Sequence, residues 1–394
     1  MVYIIKKDGT KEEFDANKIK RAVNKSAGRV MYRFTDDEIN FICKYATDRA
    51  EAMSRERKGG KIMIQDMHNI VEGALEQVNP AVAKSYRDYR NYKVDFIHMM
   101  DEVYTKSQSI RYIGDKSNAN TDSALVATKR SLIFNELNKE LYRKFFMNRN
   151  ELQACKDGYI YIHDQSARLD TMNCCLFDVG SVLRGGFEMG NVWYNEPKTL
   201  DTAFDVMGDI ILSTAAQQYG GFTVPEVDKI LSPYAQKSYN KYYEEFLKYS
   251  DPSWEGREEK GRVYAWEKVC RDCDQGWQGI EYKLNTVGSS RGDYPFVTVT
   301  LGLGTGRFEK MISKSLLKVH MGGQGKAGHK KPVLFPKIVF LYDEEIHGDG
   351  KECEDVFETG VACSAKTMYP DWLSMSGQGY ISSMYKKYKK VISP

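Results

Sequence analysis

The run Pro295-Phe-Val-Thr-Val-Thr-Leu301, closed by Gly302-Leu-Gly-Thr-Gly306 and followed by a helical pattern from Arg307, leaves this chain little freedom of fold class. β-Branched residues dominate it, as they do in strands, and glycines end it. A second apolar run, Val333 to Leu341, is preceded by a glycine-rich basic loop from Met321 to Pro332, which is expected to be mobile. Between positions 201 and 219, Ala203, Val206, Met207, Ile210, Ile211 and Thr214 recur at helical spacing. Strand-like runs alternating with helical ones predict an α/β chain.

The segment with the most chemistry lies upstream. Tyr159-Ile-Tyr-Ile-His163-Asp164 reads as a strand from Tyr159 to Ile162, and Asn173-Cys174-Cys175-Leu-Phe-Asp178 follows ten residues later. His, Asp, Asn and Cys at strand ends are side chains that chemistry requires more often than a core does. Asp164 either orients His163 or finishes a turn. Successive strand residues face opposite sides, so one of Cys174 and Cys175 points to the site and the other into packing.

Charge narrows the partners. With 57 basic against 54 acidic residues the net charge is +3, which excludes a polybasic nucleic-acid coat, though local basic clusters can bind phosphates. No leader pattern opens the sequence and no apolar run approaches membrane-spanning length, so a cytoplasmic protein is expected, with no membrane or direct nucleic-acid partner. Eight cysteines in 394 residues do not make a secreted disulfide framework, and reduced thiols are expected. Cys270-Arg-Asp-Cys273 has zinc-ligand spacing, but no second pair completes four ligands. It reads as two unrelated thiols on a helix, and no metal site is assigned.

The first hundred residues form a separate pattern. Two short strands flank Asp8-Gly9, a hairpin dipeptide; Asp15 caps a helix carrying Ile19, Val23 and Ala27. Thr35-Asp-Asp-Glu38 is a capping box, a third helix spans about Ile64 to Gln77, and Asn79-Pro80 opens a fourth. Lys6, Lys7, Lys18 and Arg21 are candidates to converge on a triphosphate by charge-assisted hydrogen bonds, with His68 and Tyr89 reaching the base. Taken alone, His68 is equally a ligand and a helix-face residue. Lys106 to Ser123 is polar, with Asn118 to Ser123 rich in turn formers, and reads as a linker or loop; Ala127 to Met147 reads as a helix ended by Asn148-Arg-Asn150.

A hairpin followed by four helices, with Lys6-Lys7-Asp8-Gly9, Phe14-Asp15-Ala-Asn-Lys18-Ile19-Lys-Arg21, Ile64-Gln-Asp-Met-His68 and Tyr86-Arg-Asp-Tyr89-Arg90, resembles the ATP-cone. That regulatory module is found in many ribonucleotide reductases and in a related repressor. The resemblance covers residues 1–95 and implies ATP or dATP as allosteric effectors, held by Lys6, Lys7, Asp8, Gly9, Lys18, Arg21, His68, Tyr89 and Arg90.

From about residue 105 onward the chain resembles the catalytic subunit of anaerobic (class III) ribonucleoside-triphosphate reductase. The carriers, in the family's order, are Tyr161-Ile-His163-Asp164, Asn173-Cys174-Cys-Leu-Phe-Asp178, Gly186-Phe-Glu-Met-Gly190-Asn191 and Gln218-Tyr219-Gly220-Gly221. Pro295 to Thr305, Phe335-Pro336-Lys337 and Cys363 to Asp371 continue the series. The resemblance implies that 96–394 is the first part of a ten-stranded glycyl-radical-type α/β barrel. It implies Cys174 as hydrogen-atom donor to the ribose, with Asn173 and His163 orienting its hydroxyls. A ribonucleoside triphosphate substrate, dNTP specificity effectors, a radical-SAM activase and a homodimer or higher homo-oligomer follow from the same resemblance. The thiyl-radical cysteine loop, glycyl radical and zinc-binding cysteines of the family would lie beyond Pro394, so this chain alone is expected to be inactive. The competing readings are a non-catalytic ATP-cone regulator and a glycyl-radical enzyme for another substrate.

Overall fold

The computed structural model describes residues 2–6, 8–57, 60–112, 124–168, 172–286 and 292–388. Lys7 and residues 113–123 lie outside them, and the linker expected from Lys106 is helical as far as Tyr112. The chain divides into two compact units, residues 1–105 and 106–394.

In the first unit, β1 (Tyr3–Ile5) and β2 (Lys11–Glu13) pair antiparallel with Ile4 opposite Glu12. Gly9, at φ +81°, supplies the left-handed residue their tight turn needs. Helix α1 (Ala16–Arg29) starts where the Asp15 carboxylate accepts the Asn17 N–H, and α2 (Asp36–Glu56) starts at the Thr35/Glu38 capping box. A third strand, β3 (Lys61–Met63), joins β1 in parallel; three residues are too few to show a sequence period. Helix α3 (Ile64–Val78) and the long α4 (Pro80–Tyr112) follow. Ile4, Val23, Ile42, Ile62, Leu75 and Val82 form the core of this unit.

The second unit contains α5 (Val126–Phe145), α6 (Arg149–Lys156), β4 (Cys175–Leu176), α7 (Val179–Leu183) and a hairpin of β5 (Phe187–Met189) and β6 (Val192–Tyr194). It continues through α8 (Leu200–Ala215), β7 (Phe222–Val224), α9 (Val227–Tyr249), α10 (Arg257–Leu284), β8 (Val297–Leu301) and α11 (Arg307–Gly322). Next come β9 (Lys337–Tyr342), α12 (Glu344–His347), α13 (Glu354–Thr367), β10 (Asp371–Ser374) and α14 (Tyr380–Tyr388). Five strands form one parallel sheet in the order β10-β9-β8-β7-β4, so its strands lie side by side in chain order, with the β5–β6 hairpin inserted between β4 and β7.

All of β8 is buried, as expected for a parallel strand covered on both faces. On one face Val224, Val299, Ile338 and Phe340 pack with Met207, Leu231, Trp277 and Leu316 of the helices. On the other, Val339 and Leu341 meet Met375, Ile381 and Tyr385. The glycines after β8 have a packing reason: a Cβ on Gly302 would lie 3.0 Å from the Leu341 carbonyl. Buried Asp228 accepts the N–H groups of Gly302 and Gly304 at 3.0 and 3.1 Å, which fixes that loop.

Four further local expectations change. Tyr159 to Ile162 forms no strand; the N–H groups of Tyr159 and Ile160 turn back to Ala154 O at 2.9 and 3.4 Å, and Tyr159 and Tyr161 are 83% and 85% exposed. Alternating Tyr and Ile favour a strand only where a neighbour offers an edge to pack on. Asn148 does not stop the chain but caps α6, its side chain accepting from Asn150 and Glu151 N–H at 2.9 Å. The loop after Met321 is closed rather than loose, because Gln324 and Lys331 exchange backbone hydrogen bonds of 2.8 and 2.9 Å. The strand expected from Val333 begins at Lys337.

Candidate functional site

Asn173 and Cys174 sit just before β4, where the backbone passes against the entry to β7. Tyr219 N–H donates to Met172 O at 3.0 Å, Gly220 N–H to Asn173 O at 2.6 Å, and Cys175 N–H to Gly221 O at 3.0 Å. Gly221 N–H also points at Cys174 Sγ, 3.3 Å away. Glycine is required here for room: a Cβ at 220 would lie 2.6 Å from Asn173 Oδ1 and 2.8 Å from Cys174 Sγ.

The two cysteines part company as strand geometry demands. Cys174 is exposed and lines a cavity of about 1090 Å³. Cys175 is not among the lining residues; its thiol donates to Gln218 Oε1 at 3.1 Å, and burial pushes its pKa up.

His163 and Asn173 share the cavity wall with Cys174, joined through Asp164. Asp164 Oδ2 lies 2.6 Å from His163 Nδ1 and accepts from Asn173 Nδ2 at 3.2 Å. With the shared proton on Nδ1, Nε2 is left to accept a hydroxyl proton. The backbone of Asp164 is left-handed (φ 54°, ψ 42°), a conformation that Asp tolerates better than most residues. Asp164 therefore both makes the turn and holds His163. A thiol, an imidazole and an amide then face one space, which suits hydrogen-bonding to a polyol beside a transferable S–H hydrogen.

In the first unit the expected nucleotide residues fall into separate groups. Lys6 pairs with Glu12 at 2.7 Å and Lys18 pairs with the same carboxylate. Asp8 and Gly9 build the turn. The Asp8 carboxylate accepts both the hydroxyl and the N–H of Thr10, bonds that hold its pKa below the usual range. Arg21 donates to Asn17 O at 3.4 Å. His68 Nδ1 meets the Tyr86 hydroxyl at 2.8 Å, and burial pushes that phenol up to about 12. Tyr89 lies under the Arg29 guanidinium at 3.8 Å, and Arg90 pairs with Glu72 at 2.9 Å. The structure thus joins Lys6 to Lys18 and leaves Arg90 engaged with a carboxylate.

Among the described residues no group of three or more His, Cys, Asp or Glu could hold a metal ion. Cys270 and Cys273 both lie on α10, and burial raises the thiol pKa of each. None of the described helices is long and apolar enough to cross a membrane.

Two residues near the cavity escaped the sequence: Arg143 on α5 and Gln165 after Asp164, whose side chains meet at 2.8 Å. Glu12 escaped it in the first unit. Gly220 was visible only as part of a motif.

Comparison with known proteins bears on both units. Residues 117–393 match the family model described as anaerobic ribonucleoside-triphosphate reductase, and residues 2–94 match the ATP cone domain. The anaerobic ribonucleoside-triphosphate reductase of Haemophilus influenzae is 31% identical over 97% of this chain and 53% of its own length. The Escherichia coli protein of that name is 29% identical over 98% of this chain and 53% of its own length. That of Enterobacteria phage T4 is 36% identical over 65% of this chain and 41% of its own length. The chain spans about half the length of the cellular relatives.

Proposed function

Because the chain belongs to the anaerobic ribonucleoside-triphosphate reductase family, we propose that it provides the substrate-facing site for replacing a ribose 2′-hydroxyl by hydrogen, under control of ATP or dATP bound to its N-terminal unit. The observation that carries this reading is the Cys174 thiol in the cavity wall, braced by Gly220 and Gly221 and flanked by Asn173 and His163.

The chemistry assigned to a thiyl radical, formed by a radical-SAM activase acting through a glycyl radical, is removal of the 3′ hydrogen. In our reading the described residues act on the opposite face of the ribose. His163 Nε2 and the Asn173 amide hold the hydroxyls, and Asp164 keeps both groups in place. The 2′-hydroxyl takes the proton released by the 3′-hydroxyl and leaves as water, and Cys174 gives its thiol hydrogen atom to C2′. The resulting 3′-ketone is restored by an electron from the reductant, a proton and return of the 3′ hydrogen atom. That reductant, formate or a thiol protein, also restores Cys174. Residues 106–394 would contribute one half of a ten-stranded barrel, and dNTP specificity effectors and a homodimer belong to the same proposal.

The test is protection of one thiol. A ribonucleoside triphosphate should slow alkylation of Cys174 by iodoacetamide at least about tenfold at saturation, since occupancy removes the free site. Mass spectrometry should find Cys43 and Cys270, which do not line the cavity, unprotected. Equal Cys174 alkylation with and without nucleotide would remove the basis for the reading.

For the N-terminal unit, the Lys6 and Lys18 ammonium groups would exchange Glu12 for a triphosphate, with His68 and Tyr89 at the base. Calorimetry should show Lys18→Ala weakening ATP or dATP binding roughly ten- to a hundredfold, the value of one charge-assisted contact. Unchanged affinity in Lys18→Ala would mean that the phosphates bind elsewhere.

A further inference from the structure

We propose that Arg143, held by Glu140 and acting through Gln165, is a positioning residue that sets the Asp164 turn and with it His163 and Asn173. The proposal rests on the site reading above and adds to it helix α5, which lines the cavity but carries none of His163, Asp164, Asn173 and Cys174.

The chain of contacts is short. Arg143 Nη1 donates to Glu140 Oε1 at 2.9 Å, one turn back on the same helix, and Arg143 Nε donates to Gln165 Oε1 at 2.8 Å. Glu140 and Gln165 are each 8% exposed, so the guanidinium is clamped between two buried acceptors. A buried acceptor that loses its donor is costly, so each partner enforces the other's rotamer. Lys106 reinforces Glu140 from 3.7 Å and pairs with Glu136 at 3.0 Å.

Gln165 is the residue after Asp164 and opens the tight turn in which Ala167 N–H donates back to Asp164 O at 3.0 Å. Fixing the Gln165 side chain to α5 therefore fixes the direction in which Asp164 presents its carboxylate. A left-handed Asp persists only where its surroundings over-determine it. Ser166, next along, donates to the Tyr219 hydroxyl at 3.2 Å and ties the same turn to the strand entry that carries Gly220. The turn is thus held from both sides, and Asp164 stands between His163 and Asn173.

Arg143 also lines the cavity, so a direct grip on substrate is the rival role. The two roles separate by mutation of Gln165, which a phosphate-binding Arg143 would not need. The experiment is ¹H–¹³C NMR of the full chain labelled at histidine, without nucleotide, following His163 against the buried His320 and His347 as controls.

Arg143→Ala and Gln165→Leu should each move the His163 imidazole signals in the same way, and the double variant should move them no further. His320 and His347 should stay in place. Gln165→Glu, which keeps an acceptor for the guanidinium, should leave His163 near its wild-type position. An unmoved His163 in Gln165→Leu overturns the proposal. So does a joint movement of all three histidines in Gln165→Leu, which marks general destabilisation. Should Arg143→Ala not fold, the Gln165 pair decides alone. Because no nucleotide is present, His163 can respond as expected even if nucleotide fails to protect Cys174; the function then falls and the positioning contact stands.

Discussion

In an enzyme that joins this chain to the radical-bearing residues of the proposed function, adding one methyl group at position 220 should reduce dNTP formation by about a hundredfold or more while leaving the protein folded, since displacement of a reacting group by about 1 Å costs that much. The alanine Cβ would have to occupy space 2.6 Å from Asn173 Oδ1, 2.8 Å from Asn173 O and 2.8 Å from Cys174 Sγ. Two of these atoms belong to the groups assigned to the ribose and the third to their own backbone, so relief of the clash must shift the site itself. The alternative, withdrawal of the 219–221 backbone, would break the hydrogen bonds from Gly220 to Asn173 and from Cys175 to Gly221. Either route separates the thiol from the position that transfers hydrogen. Steady-state assay of Gly220→Ala beside its melting temperature is the measurement. Activity within a few-fold of wild type would show that the thiol's position is not set by this contact.

The second large effect is on stability. Trp277→Ala should lower the unfolding free energy of the second unit by about 3–5 kcal/mol, the usual range for a fully buried aromatic. Trp277 on α10 is completely buried and meets Phe204 of α8 edge-to-face, with ring centroids 5.0 Å apart. Its neighbour Gly276 is already so close to Phe204 that a Cβ there would overlap a ring carbon. The α8–α10 contact therefore cannot close over the hole that alanine leaves, and a cavity that cannot collapse is the costly kind. Urea unfolding followed by fluorescence and far-UV dichroism would measure it. A loss below about 1.5 kcal/mol would mean that the layer repacks as readily as a volume-conserving swap.

What the sequence determined by itself is local. The Asp8-Gly9 turn, the Asp15 cap and the Thr35/Glu38 capping box are each written within four residues, and each forms as read. The strand before Gly302 and the helix after it were legible for the same reason: β-branched runs, glycine stops and helical spacing act over short range. Asn173-Cys174 stood out as chemistry because no core calls for that pair, and the motif order around it pointed to the family.

Only the tertiary structure decided how these pieces meet. Tyr159 to Ile162 has strand composition but no strand edge to join, and propensity cannot supply a neighbour. Cys174 was separated from Cys175 by Gln218 and Gly221, more than forty positions away in sequence. Arg143 and Gln165 carry no periodic signal, being one charged and one polar residue 22 positions apart that become partners when α5 packs on the Asp164 turn. Gly220 reads as an ordinary turn glycine until the backbone of residues 173–174 is laid against it. Short-range propensity is written residue by residue. Long-range contact depends on which surfaces the whole chain buries together, and the candidate site of this protein is made almost entirely of such contacts.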